Sequence, residues 1–143
     1  MNKTKNFLSV AVITILSFFV SPQSGAHEGH AHDAPKGVSA PRGGQIKEIE
    51  NTYVEVVTKK NELKIYLYDK ELKPLDAATY KVSATAQKPR AKKQEDILLS
   101  VKENFFEATY DAKGAHRYSL TLLIKDPKEA HQDKLKFNIE PKK

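Results

Sequence analysis

Three of the chain's five histidines fall within six residues, in His27-Glu28-Gly29-His30-Ala31-His32-Asp33, interleaved with carboxylates. Neutral imidazole is a good ligand for zinc, copper and nickel, and a carboxylate can complete such a set. His27, His30, His32 and Asp33 are therefore candidate ligands for copper(II) or zinc(II). If the chain is cut after Ala26, the freed α-amino group of His27 stands beside its own imidazole, and the two nitrogens can close a chelate that suits Cu(II). A flexible segment loses conformational entropy on wrapping an ion, so moderate affinity is expected. His116 falls near one end of a predicted strand and His131 in a predicted loop, and either can add a ligand to an ion held by the tail. The competing reading is that the histidine-rich stretch is a solvated linker of an interaction module.

The chemistry the chain does not offer is equally clear. It has no cysteine, which excludes a disulfide framework, a thiolate metal site and thiol catalysis. It has no His-Glu-x-x-His motif, no Gly-x-Ser-x-Gly elbow and no phosphate-cradling glycine loop. Gly43-Gly44 is isolated and reads as a turn before the first strand. The remaining carboxylates fall on predicted outward faces, where they solubilise. A non-catalytic protein is expected. Residues 88–93 carry Lys88, Arg90, Lys92 and Lys93 without interleaved aromatics, the pattern of a solvated loop more than of a polyanion site.

The N-terminus says where this chemistry would operate. Lys3 and Lys5 precede an uncharged run over residues 7–20, Pro22 breaks it, and Ser24-Gly25-Ala26 supplies small residues for a cut. That is the three-part layout of a cleavable secretory signal over residues 1–26. The run is shorter than the roughly 20 apolar residues a spanning helix needs. Without cysteine there is no lipid-modified thiol, so no stable membrane anchor is expected after cleavage. The expected location is the periplasm or outside the cell. The net charge of the full chain is +6, and residues 1–26 hold two lysines and no acid, which leaves +4. That mild excess does not specify nucleic acid, and secretion argues against it. The remaining 117 residues can build one core but not two.

Residues 27–39 have almost no large apolar side chain and read as a flexible tail. From residue 40 to residue 143 the pattern changes to short alternating runs separated by turn residues. Residues 53–58 are rich in β-branched side chains, and Leu63, Ile65 and Leu67 alternate with Lys64, Tyr66 and Tyr68 across the polar, turn-like Lys59-Lys60-Asn61. Further alternations carry Tyr80, Val82, Ala84 and Ala86, then Ile97, Leu99 and Val101, then Phe106, Ala108 and Tyr110. Tyr118, Leu120, Leu122 and Ile124 form the clearest one, and Leu135, Phe137 and Ile139 the last. About seven strands without a helical period predict an all-β fold, an antiparallel β-sandwich or small barrel, with an immunoglobulin-like arrangement among the options. Residues 91–98 or 127–132 have room for a helical turn.

Ala40-Pro41-Arg42-Gly43-Gly44-Gln45, Tyr53-Val54-Glu55-Val56-Val57, Leu63-Lys64-Ile65-Tyr66-Leu67-Tyr68-Asp69 and Lys73-Pro74-Leu75 together resemble a group of small, poorly characterised bacterial periplasmic proteins. Members of that group often begin with a His-rich stretch and are similar to domains associated with heavy-metal efflux systems. The resemblance covers residues 40–86. It implies a periplasmic β-domain linked to metal handling, with a metal-efflux component as partner. It also implies a histidine where this chain has Arg42, and often one near Tyr53. The expected function is capture or buffering of divalent copper or zinc by the tail, with the β-domain as carrier.

Overall fold

The computed structural model describes residues 34–141; the expected signal segment and the ligand candidates His27, His30, His32 and Asp33 lie outside the described residues. Nine strands follow in order: β1 (Gln45–Ile49), β2 (Thr52–Lys59), β3 (Glu62–Tyr68), β4 (Lys81–Gln87), β5 (Glu95–Ile97), β6 (Ser100–Val101), β7 (Phe105–Thr109), β8 (Tyr118–Lys125) and β9 (Asp133–Ile139). They pair antiparallel into two sheets, β1-β2-β3-β7-β6 and β5-β4-β8-β9. The fold is all-β, a two-sheet sandwich with no α-helix among the described residues.

The core follows from the two-residue side-chain period of a strand. Val54, Val56, Leu63, Ile65, Leu67 and Phe106 point inward from the first sheet. Ala84, Ala86, Leu120, Leu122, Ile124, Leu135, Phe137 and Ile139 meet them from the second. Each fully buried leucine or phenylalanine contributes about 1.5–3 kcal/mol through removal from water. With no disulfide available, this one cluster carries the domain.

Three differences from the sequence expectation have physical causes. β1 was not expected, because it does not show an apolar inner row. Ile46 pairs with Glu55 on the outward face, while Lys47 pairs with Val54 on the inward side and lays its ammonium over the Phe137 ring, 5.5 Å from the centroid. The alternation of Ile97, Leu99 and Val101 is not one strand. The chain leaves the second sheet after Ile97, crosses at Leu98 and joins the first sheet as β6, which leaves Leu98 90% exposed. No helical turn forms at residues 91–98 or 127–132. The one short helix among the described residues is the 3-10 turn Ala77–Thr79, started by the Asp76 carboxylate accepting from the Ala78 N–H at 2.9 Å.

The registers also define two ends. The β1–β2 turn and the β8–β9 connection lie at one end, held together by a bond between Glu50 and His131. The β2–β3 turn, the β4–β5 connection and the β7–β8 connection lie at the other, where Tyr110 N–H donates to the Asn61 carbonyl at 2.8 Å. The eight residues of β8 span the distance between them, roughly 25 Å at about 3.3 Å per residue.

Candidate metal centre

Glu50 and Asn51 form the two-residue turn between β1 and β2, since Ile49 pairs directly with Thr52. Glu50 sits there at φ +38°, in backbone space that costs a side-chain-bearing residue about 1–2 kcal/mol. On the neighbouring connection, Asp126 starts a turn: its carboxylate accepts from the Lys128 N–H at 2.8 Å and its carbonyl from the Glu129 N–H at 3.2 Å. Tyr80 Oη donates to the other carboxylate oxygen of Asp126 at 3.4 Å. Residues 129–131 then return toward the β1–β2 turn, and Asp133 opens β9.

His131 is the hub of the resulting group. Its Nε2 lies 2.8 Å from Glu50 Oε1, 3.5 Å from Glu129 Oε2 and 3.7 Å from Asp133 Oδ1. One ligand atom each from Glu50, His131 and Asp133 lie within 4.8 Å of one another. Ligand atoms around a tetrahedral ion stand about 3.3–3.6 Å apart, so these side chains would have to turn inward by about an ångström to close the set. The adjoining depression, lined by Ile49, Thr52, Tyr80, Ile124 and Asp126 among others, has a volume of about 10 Å³. That is room for about one water or ion and not for an organic substrate.

The electrostatics match a cation site. The Glu50 carboxylate is the main cause of the raised His131 pKa, with Asp133 and Glu129 adding to it. The Glu129 carboxyl is also pushed up, first by its hydrogen bond with Glu50 and then by desolvation, as expected when two carboxyls share a proton. A divalent ion would relieve the same crowding of negative charge that raises these two groups.

The candidates from the sequence are placed unevenly. His27, His30, His32 and Asp33 lie outside the described residues. His116 is exposed at the opposite end, beside Lys88, Arg90, Lys113 and Arg117, and joins no group of three donors among the described residues. His131 gains as partners three carboxylates that the sequence pattern marks only as solubilising: Glu50, Glu129 and Asp133. A signal for two of them exists in Glu129-Ala130-His131-Gln132-Asp133, which places possible ligands at every second residue as Glu28-Gly29-His30-Ala31-His32 does.

The segments that carry the periplasmic resemblance converge elsewhere, on the outward face of the first sheet. The Glu55 side chain is fully buried, and its carboxylate accepts from the Arg42 N–H at 3.0 and 3.2 Å, the Gly44 N–H at 2.8 Å and Tyr68 Oη at 2.9 Å. A Cβ on Gly44 would stand 2.3 Å from the Val56 carbonyl oxygen, so only glycine lets the chain pass this close. The Arg42 guanidinium lies over the Tyr66 ring, 4.2 Å from its centroid. Lys70 covers Tyr53 at 4.7 Å and pairs with Glu48. Positions 42 and 53, where the resemblance implies imidazoles, thus hold a guanidinium and a phenol that pack against this face.

No protein-family model, curated protein or solved structure matches this chain.

Proposed function

We propose that this chain is a non-catalytic metal-binding protein that captures or buffers a divalent transition metal outside the cytoplasm. The observation that carries this reading is the convergence of Glu50, His131 and Asp133, with Glu129 beside them, from two separate connections of the sandwich. One imidazole with two or three carboxylates is a borderline-to-hard donor set that suits zinc(II) better than soft ions. The stretch His27-Glu28-Gly29-His30-Ala31-His32-Asp33 supplies a second donor set, suited to copper(II) when His27 is the first residue. A partner that accepts the ion, such as a metal-efflux component, is the natural counterpart of such a buffer.

Calorimetric titration of the chain beginning at His27 with Zn(II) and with Cu(II) tests the two sets separately. His131→Ala or Glu50→Gln should lower Zn(II) affinity at least tenfold and leave Cu(II) binding by the tail within about threefold. Deleting residues 27–33 should do the reverse. Both affinities should fall as pH drops from about 7.5 to 5.5, because neutral imidazole is the ligand and its ordinary pKa is about 6.5. The Zn(II) loss should begin at the higher pH, since the surrounding carboxylates hold the His131 proton more tightly. If no titration exceeds the affinity of a free histidine-containing peptide, the metal reading fails and the interaction-module reading replaces it. The mass of the exported product should correspond to a chain beginning at His27.

A further inference from the structure

We infer that the end of the sandwich opposite the carboxylate–imidazole group is a binding groove for a phosphate-type oxyanion. Two connections that are far apart in sequence form its walls. Residues 88–91 contribute Arg90, and residues 112–117 contribute Lys113, His116 and Arg117. The part of the groove between Arg90, Arg117, Ser119 and Asn138 has a volume of about 510 Å³, ample for a phosphate group and the start of whatever carries it.

The charge state of this groove differs from an ordinary basic loop. Lys88 is committed to Glu95, 2.8 Å away. Arg90, Lys113 and Arg117 have no side-chain hydrogen bond, ion pair or ring contact among the described residues, and Glu140 is the one acid in the lining. Guanidinium groups present fixed, planar donors that match the oxygens of phosphate, and cations in a concave site focus a positive potential, although Lys113 also feels the Glu95 carboxylate. Neutral donors stand between them: the Ser119 hydroxyl and the Asn138 side chain, 3.4 Å apart on adjacent strands.

Tight turns hold two of the groove's cations in place. Residues 88–91 make a turn in which the Ala91 N–H donates to the Lys88 carbonyl at 3.1 Å, with Pro89 second and Arg90 third at φ +63°. That third position ordinarily takes glycine or asparagine. Across the groove Lys113 sits at φ +51°. Arg90 and Lys113 are thus held in left-handed backbone on facing walls, as Glu50, Lys60 and Leu72 are in turns elsewhere in the fold.

This inference does not depend on the metal reading and is tested apart from it, on the metal-free chain. Pyrophosphate titration followed by calorimetry, and sedimentation with phosphatidylglycerol or phosphatidylcholine vesicles, distinguish a soluble phosphate from a lipid headgroup. Saturable binding of pyrophosphate, or of the anionic vesicles alone, at about 0.15 M salt supports the groove. Arg90→Gly with Arg117→Gln should weaken that binding at least tenfold. Arg90→Gly relieves the backbone, so its melting temperature should match or exceed the parent's, which separates lost binding from lost folding. Lys134→Ala with Lys136→Ala removes the same charge from the outward face of the second sheet and should change binding less than twofold. Equal losses in the two double variants, or no saturable binding to either probe, would overturn the proposal.

Discussion

The two sheets of this sandwich treat their outward faces in opposite ways. On the second sheet the outward row is plain: Lys81, Ser83, Lys134, Lys136 and Asn138 are exposed, and Thr85, Ser119, Thr121 and Leu123 are half-buried. On the first sheet the outward row is a second interior. Ile46, Glu55, Tyr66 and Tyr68 are all buried, Glu55 at 0% exposure and Tyr68 at 2%. Ring contacts knit that row together, with Tyr66 and Tyr68 stacked at 6.4 Å and Tyr66 against Phe105 at 5.2 Å. Alternation in a sequence tells which side chains face away from the core; it does not tell whether what they face is water. Here the Arg42-Gly43-Gly44 segment, drawn in by the Glu55 carboxylate, makes the difference.

The strongest way to break this comparison is Glu55→Ala. The substitution strands the Arg42 and Gly44 N–H groups and the Tyr68 hydroxyl, each of which loses its acceptor. A buried donor left without its acceptor typically costs about 1–3 kcal/mol, and three donors lose theirs here. Urea unfolding should register that loss, and Glu55→Gln, which keeps volume and one acceptor oxygen, should cost less than half as much. A loss below about 1 kcal/mol for Glu55→Ala would mean that this outward face behaves as solvent. Leu122→Ala sets the scale from the shared interior. Leu122 is fully buried mid-strand between β4 and β9, and its truncation should cost about 2–5 kcal/mol.

Alkaline titration sharpens the comparison. Burial, and then Glu55, push the Tyr68 phenol up to about 12; burial alone does the same for Tyr118 in the interior; burial and then Glu95 raise Tyr110 to about 12. Each of these groups ordinarily ionises near 10. A phenol held neutral in the folded state contributes its stability fully below pH 10, and the contribution is lost as pH rises from 10 through 12. Unfolding should therefore become markedly easier between pH 10 and 12. In a titration followed by tyrosinate absorbance, Tyr68→Phe should remove one late-ionising group of the chain's six tyrosines. If Tyr68 ionises with the ordinary group instead, the outward face of the first sheet is wet.

What was legible in the sequence follows the same division. Leu63, Ile65 and Leu67, and Tyr118 through Ile124, announce their inward faces because aliphatic side chains recur there at every second residue, although β3 also buries Tyr66 and Tyr68 on its other face. β1 was hidden because Ile46 buries itself outward and Lys47 lies inward over Phe137. The break between β5 and β6 was hidden because Ile97, Leu99 and Val101 keep the period while the chain changes sheets. Glu55 read as a solubilising carboxylate because nothing local distinguishes an acid that meets water from one that meets two backbone N–H groups thirteen and eleven residues away. The Glu50, His131 and Asp133 group needed the fold itself, since a turn and a distant connection meet only at the end of a sandwich.

Lys136→Ala should have the smallest effect, and it tests the other half of the comparison. Lys136 lies on β9 opposite Thr121 of β8, exposed on the outward face of the second sheet. Its neighbours along the strand, Leu135 and Phe137, are buried at 1% and 0%, so the substitution sits between two core residues without touching the core. Lys136 has no ion-pair partner among the described residues. A surface change of this kind should alter stability by less than about 0.5 kcal/mol, read from the shift in the urea midpoint at constant slope. A cost above about 1 kcal/mol would show that the outward face of the second sheet is also covered in solution. Such a cost would make the buried row around Glu55 a property of both sheets and not a distinction between them.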